Sequence, residues 1–126
     1  MNSGPPPGSS APITLVCFAL RAEAAAFQRQ LAHFGGTEAE RKPAVEILLT
    51  GVGRPAAERA LADALQNRVP ARVFSCGFAG ALNPALRVGT VGFATEDAAL
   101  RDALLAAGAQ PMRFVTVDRV VVSAAA

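Results

Sequence analysis

Ile13-Thr-Leu-Val-Cys-Phe-Ala19 is an unbroken apolar run, and the fold is read outward from it. A run of this length fits a strand buried on both faces, the usual state of strands in a parallel sheet. Beyond it the period changes. Phe27, Leu31 and Phe34 recur at i, i+4 and i+7 with Gln28, Arg29 and Gln30 between them, which predicts a helix over about Ala22 to Phe34. Gly35-Gly36 would stop that helix.

The same alternation repeats downstream. A polar stretch from Thr37 to Lys42 leads through Pro43 into an expected strand, Val45 to Thr50. Gly51-Val-Gly53 then turns the chain into a helix over roughly Pro55 to Asn67, with Ala57, Leu61, Ala64 and Leu65 as its inward stripe. Pro70 breaks before a third strand, Arg72 to Cys76, read like the first as buried. After an Asn83-Pro84 turn come a strand at Val88 to Thr95 and a short helix from Asp97 to Ala107, with Leu100 and Leu104 inward. A β-rich stretch from Arg113 to Ser123 closes the series. Strands alternating with helices predict an α/β fold, a mostly parallel sheet with helices on its faces. The last strand has no helix after it, and a sheet stopped there would leave apolar area and an edge open. Residues 13–126 are therefore expected to be the N-terminal part of a domain, truncated at its C-terminal side.

Composition narrows the function. The chain has 126 residues, enough for one domain, and is 52% hydrophobic, enough for a sizeable core. Aromatics are few and all are Phe, so Phe18, Phe27, Phe74, Phe78 and Phe93 are the bulkiest core candidates. The net charge of +2 comes from basic residues, all but Lys42 arginines, spread along the chain. No basic run interleaved with aromatics marks a nucleic-acid surface. Met1 to Pro12 is Pro, Gly and Ser without an apolar segment, hence a disordered tail (1–12), not a signal peptide. No stretch approaches membrane-spanning length, so a cytoplasmic location is expected. Cys17 and Cys76 each lie in an apolar run and read as buried packing thiols rather than a disulfide. With a single histidine, His33, expected to be exposed, and no Cys/His cluster, no metal site is expected.

In open α/β sheets, ligands bind outside the carboxyl ends of the strands. Three local peculiarities fall there: Ala19-Leu-Arg-Ala-Glu23, Gly51-Val-Gly53 and Gly77-Phe-Ala-Gly80. Gly51-Val-Gly-Arg-Pro-Ala56 matches the GxGxxA dinucleotide pattern, but the strand that follows ends at Ser75-Cys76 without the carboxylate a nicotinamide ribose needs. A tight turn needing glycine conformations explains it more simply, and no cofactor is implied. The Gly77 to Gly80 loop reads equally as an approach for a ligand or as a packing turn. Glu23 reads either as a solvated acid at a helix start or as a carboxylate that activates water or moves a proton.

Taken together, these stretches resemble the methylthioadenosine/S-adenosylhomocysteine nucleosidases of the nucleoside phosphorylase/nucleosidase superfamily. Ala19-Leu-Arg-Ala-Glu23 is similar to their Ala-Met-Glu-Glu-Glu, and Thr50-Gly-Val-Gly-Arg54 to their Ser-Gly-Ile-Gly-Lys. Ser75-Cys-Gly-Phe-Ala-Gly-Ala-Leu82 and Asn83-Pro-Ala-Leu-Arg-Val-Gly89 resemble their Thr-Gly-Ser-Ala-Gly-Gly-Leu and the Pro-x-Leu-Lys-Val-Gly-Asp after it. Thr95-Glu96 matches the end of the next strand. The motifs keep their order from Ile13 to about Ser123.

The resemblance implies a three-layer α/β sandwich that cleaves the N-glycosidic bond of a purine nucleoside. It implies that Glu23 is the carboxylate that activates water, and that Phe78, Ala79 and Gly80 line the ribose and base pocket. It also implies a homo-oligomer for the full-length protein. Ser75 stands where the phosphorylases carry a phosphate-binding Arg, and their Gly-Asp-Pro-x-Arg segment is absent, which favours water over phosphate as the attacking group. Arg21 and Arg54 remain possible phosphate partners, and hopanoid-pathway phosphorylase-like proteins share this short, Arg-rich style. The family's Met-Glu segment, which holds the ribose hydroxyls, and the Asp that protonates the leaving purine fall downstream of the point matching Ser123. The chain alone is therefore expected to be incomplete for catalysis, and a non-catalytic binding module on the same fold is the alternative.

Overall fold

The structure, a computed structural model, describes residues 12–33, 44–66 and 68–117. Strand β1 (Ile13–Phe18) has partners on both sides, β2 (Ala44–Leu49) and β3 (Arg72–Cys76), both parallel to it, in the order β2-β1-β3. Helix α1 (Arg21–His33) connects β1 to β2, and α2 (Arg54–Leu65) connects β2 to β3. The first connection moves one way across the sheet and the second moves back past β1. Right-handed crossovers in opposite directions place their helices on opposite faces.

Burial agrees with that layering. Val16 and Phe18 form a core with Ala24 of α1, and Phe27, Val45, Ile47 and Phe74 pack against it. The rings of Phe18 and Phe27 lie 5.7 Å apart. Leu15 and Cys17, which alternate with them along β1, are also buried, so the opposite face of the sheet is covered too. The fold is α/β with a parallel sheet and helices, as the alternation of patterns predicted. On α2 the expected stripe is shallow: Ala57, Leu61 and Ala64 are half-buried and Leu65 is exposed.

Chain contacts divide the molecule into two units, 1–78 and 79–126. In the second, β4 (Gly92–Phe93) and β5 (Gln110–Pro111) pair in parallel around α3 (Ala98–Ala106). Asp97 caps α3, its side chain accepting from the Leu100 amide at 3.1 Å. At the other end the Gly108 and Ala109 amides donate back to the Leu105 and Leu104 carbonyls, the Schellman arrangement. Phe93 and Ala109 are buried there. The Asn83-Pro84 turn forms as expected, Asn83 Oδ1 accepting from Ala85 N and its carbonyl from Leu86 N.

Several expectations are corrected. β3 is not a buried strand: among the described residues it is an outer strand, and Cys76 is exposed. Phe78 is no core residue, at 80% exposure. The strand expected over Val88 to Thr95 shrinks to Gly92–Phe93, because Val88 and Gly89 are taken into a turn closed by Thr90 N on Arg87 O. Among the described residues the last pairing segment is Gln110–Pro111, and 112–117 form no strand. Most of the expected tail (1–11), the expected helix ends at Phe34 and Asn67, and the segments 35–43 and 118–123 lie outside the described residues.

Candidate active site

Because β1, β2 and β3 are parallel, their carboxyl ends form one edge, and three loops leave from it. After β2 the chain continues the ladder for two more bonds, Thr50 N to Phe18 O at 2.9 Å and Gly51 N to Ala19 O at 3.1 Å. Gly51 and Gly53 follow with φ of 83° and 95°, Gly53 at the N-cap of α2. The tight-turn reading of this segment holds.

The GxGxxA alternative fails on topology. A dinucleotide site takes its ribose-binding acid from the next strand along the chain, which lies beside the glycine-loop strand. Here β1 separates β2 from β3.

Glu23 sits in the first turn of α1 and is half-buried. One oxygen, Oε1, accepts from the Leu20 amide at 3.0 Å, the reach-back of a third-position Glu that closes a helix start. The other, Oε2, accepts from the Phe78 amide at 2.8 Å, across 55 positions of sequence. The carboxylate is thus more than a solvated acid: two backbone donors fix its plane. Four acceptor directions are available to a carboxylate, so two remain for a ligand or water.

Gly77 makes that approach possible. A Cβ built there would stand 2.6 Å from Glu23 Oε2. The Phe78 side chain beyond it presents its ring to solvent. Ala79 and Gly80 continue the loop as exposed residues of the second unit, and a Cβ on Gly80 would meet nothing within 4 Å. Arg21 and Arg54, at the first positions of α1 and α2, are exposed.

Cys76 ends β3 beside this loop. Desolvation, and then Cys17, raise its thiol above the ordinary range. The neutral thiol is favoured, which makes it a poor nucleophile. Among the described residues no group of His, Cys, Asp or Glu is arranged to hold a metal, and no helix is long and apolar enough to cross a membrane.

The sequence singles out Glu23 and the glycine loop as candidates but carries no sign that one touches the other. Nor does it mark the Leu20 and Phe78 amides, which carry no side-chain signature. Gly77 was the available signal.

A profile of the phosphorylase superfamily matches residues 33–125. The chain belongs to the phosphorylase superfamily. No curated protein and no solved structure matches it. The superfamily match takes in both glycine loops and begins after Glu23, so the carboxylate joins the superfamily segment through its bond to Phe78. Membership in this superfamily of nucleoside phosphorylases and nucleosidases supports nucleoside cleavage as the general chemistry.

Proposed function

We propose that this chain serves cleavage of the N-glycosidic bond of a purine nucleoside, with Glu23 as the carboxylate that activates water at the sugar. Phe78, Ala79 and Gly80 line the place of the base and ribose, and Gly51, Gly53 and Gly77 shape the loops around it. The observation that carries this reading is the Glu23 carboxylate, fixed by two amides at the carboxyl edge of a parallel sheet with acceptor capacity left over. A carboxylate that moves a proton must be positioned before its basicity matters. Ser75, at the position where the resemblance puts the phosphorylases' phosphate-binding Arg, offers no guanidinium to a phosphate dianion, which favours hydrolysis.

The experiment is release of free base from purine nucleosides, with and without phosphate, by the polypeptide as its gene encodes it. Glu23→Gln should lower kcat by about a hundredfold to ten-thousandfold, the range for one general acid or base. Turnover unchanged in that variant would overturn the assignment, and a strict phosphate requirement would replace hydrolysis by phosphorolysis.

A second reading, nucleoside binding without catalysis, is favoured by the same two hydrogen bonds, since each oxygen already has a structural partner. It requires saturable binding with no base released, and binding that survives Glu23→Gln.

A further inference from the structure

We infer that Gly77 is the positioning residue for Glu23: its missing side chain is what seats Oε2 on the Phe78 amide. The two carboxylate oxygens have different dependencies. Oε1 is held by Leu20, three positions away on the same helix start, and would be held in an isolated helix. Oε2 reaches a donor on another strand's loop, over a glycine whose Cβ would come within 2.6 Å of Oε2, 3.2 Å of Cδ and 3.5 Å of Oε1. The obstruction falls first on Oε2. The φ of Gly77 is not in the left-handed region, so the backbone conformation is open to any residue. What glycine supplies at this position is space for the carboxylate.

An alanine there would therefore leave the loop path intact and turn the carboxylate away. The displaced group is the far end of a flexible side chain, so the rearrangement is local. Loss of the Phe78 bond would free Oε2 to swing while Oε1 keeps the helix start. The geometric consequence stands on the contacts alone; its chemical consequence rests on the proposed role of Glu23.

The test compares the Phe78 and Leu20 amide-proton shifts of the 126-residue chain with and without the Glu23 carboxylate by heteronuclear NMR. In the wild-type background Glu23→Ala should move both shifts. In the Gly77→Ala background it should move only that of Leu20. A Phe78 response that persists in the Gly77→Ala background overturns the inference. Should Gly77→Ala fail to fold, Gly77→Ala/Glu23→Ala should fold, because the obstructing carboxylate is gone. Failure of that pair while Glu23→Ala folds overturns it equally.

In the cleavage assay Gly77→Ala should lose kcat by about the factor lost in Glu23→Gln, with KM little changed, and the double variant should lose no more. Wild-type kcat in Gly77→Ala, with the Phe78 response gone, overturns the positioning role while leaving the contact standing. Absence of cleavage by the wild type strikes the proposed reaction, and the amide responses then decide the role of Gly77 alone.

Discussion

Cys17 and Cys76 lie on neighbouring strands with their thiols on opposite faces of the sheet. Cys17 is paired with Ser75 and Phe18 with Cys76, and side chains alternate along each strand. A disulfide needs Cβ vectors that converge, so these two thiols cannot be bridged without moving the sheet. Cys17 is buried and Cys76 exposed. Under native conditions a thiol reagent should modify Cys76 and spare Cys17 until the chain unfolds. Mass spectrometry after timed alkylation measures this; equal labelling of both, or a linked pair after mild oxidation, would contradict the register.

The same thiols give a direction to alkaline stability. Desolvation raises Cys17 above the ordinary value of 9.0, and desolvation followed by Cys17 raises Cys76. Above that ordinary value the unfolded chain loses its thiol protons before the folded chain does. It then binds fewer protons, so stability falls as pH rises through the window between the two values and is unaffected below it. Urea midpoints on either side of the ordinary thiol value should show the decline, and Cys17→Ala/Cys76→Ala should flatten it.

Two phenylalanines should respond oppositely to truncation. Phe18 is buried against Phe27 and Ala24, and Phe18→Ala should cost about 3–5 kcal/mol in denaturant unfolding. Phe78 is exposed, and Phe78→Ala should stay within about 0.5 kcal/mol of the wild type. If its ring stacks on a purine, nucleoside affinity measured by calorimetry should drop by about 1–3 kcal/mol in Phe78→Ala. Undiminished affinity would remove Phe78 from the base pocket.

In the second unit, Asp97→Ala should remove the cap on the Leu100 amide and cost about 1 kcal/mol. Amide exchange should accelerate in the first turn of α3, and Asp97→Asn should restore most of the protection. Unchanged exchange in Asp97→Ala would show that the cap does not hold that turn.

The local signals in this sequence were strong where burial and period agreed. The run at Ile13 to Ala19 supplies β1, the inner of the three strands, because a strand with partners on both sides and both faces buried must be largely apolar, Thr14 being its one buried polar side chain. Helix α1 and the expected helix differ by one residue at the start, and Asp97 marks the start of α3 as its cap. What failed was position within the sheet. Arg72–Cys76 carries the composition of an interior strand, yet it is an outer strand among the described residues, and no local pattern distinguishes the two. Val88 and Gly89 have a strand-like apolar neighbour, Val91, but Asn83 and Thr90 close turns around them. At the site, Glu23 and Gly77 were each visible; their contact depends on the β1–β3 register, which only the fold supplies.

The placement of β1 between two strands that follow it has a consequence for biogenesis. Its partners end at Leu49 and Cys76, so during synthesis the apolar segment emerges from the ribosome before either exists. At elongation rates of about 5–20 residues per second, β1 waits on the order of three to twelve seconds for its second neighbour. Through that interval its unsatisfied backbone is open to chaperones and to the same segment of a neighbouring nascent chain, so yield in the cell should depend on translation speed between β2 and β3.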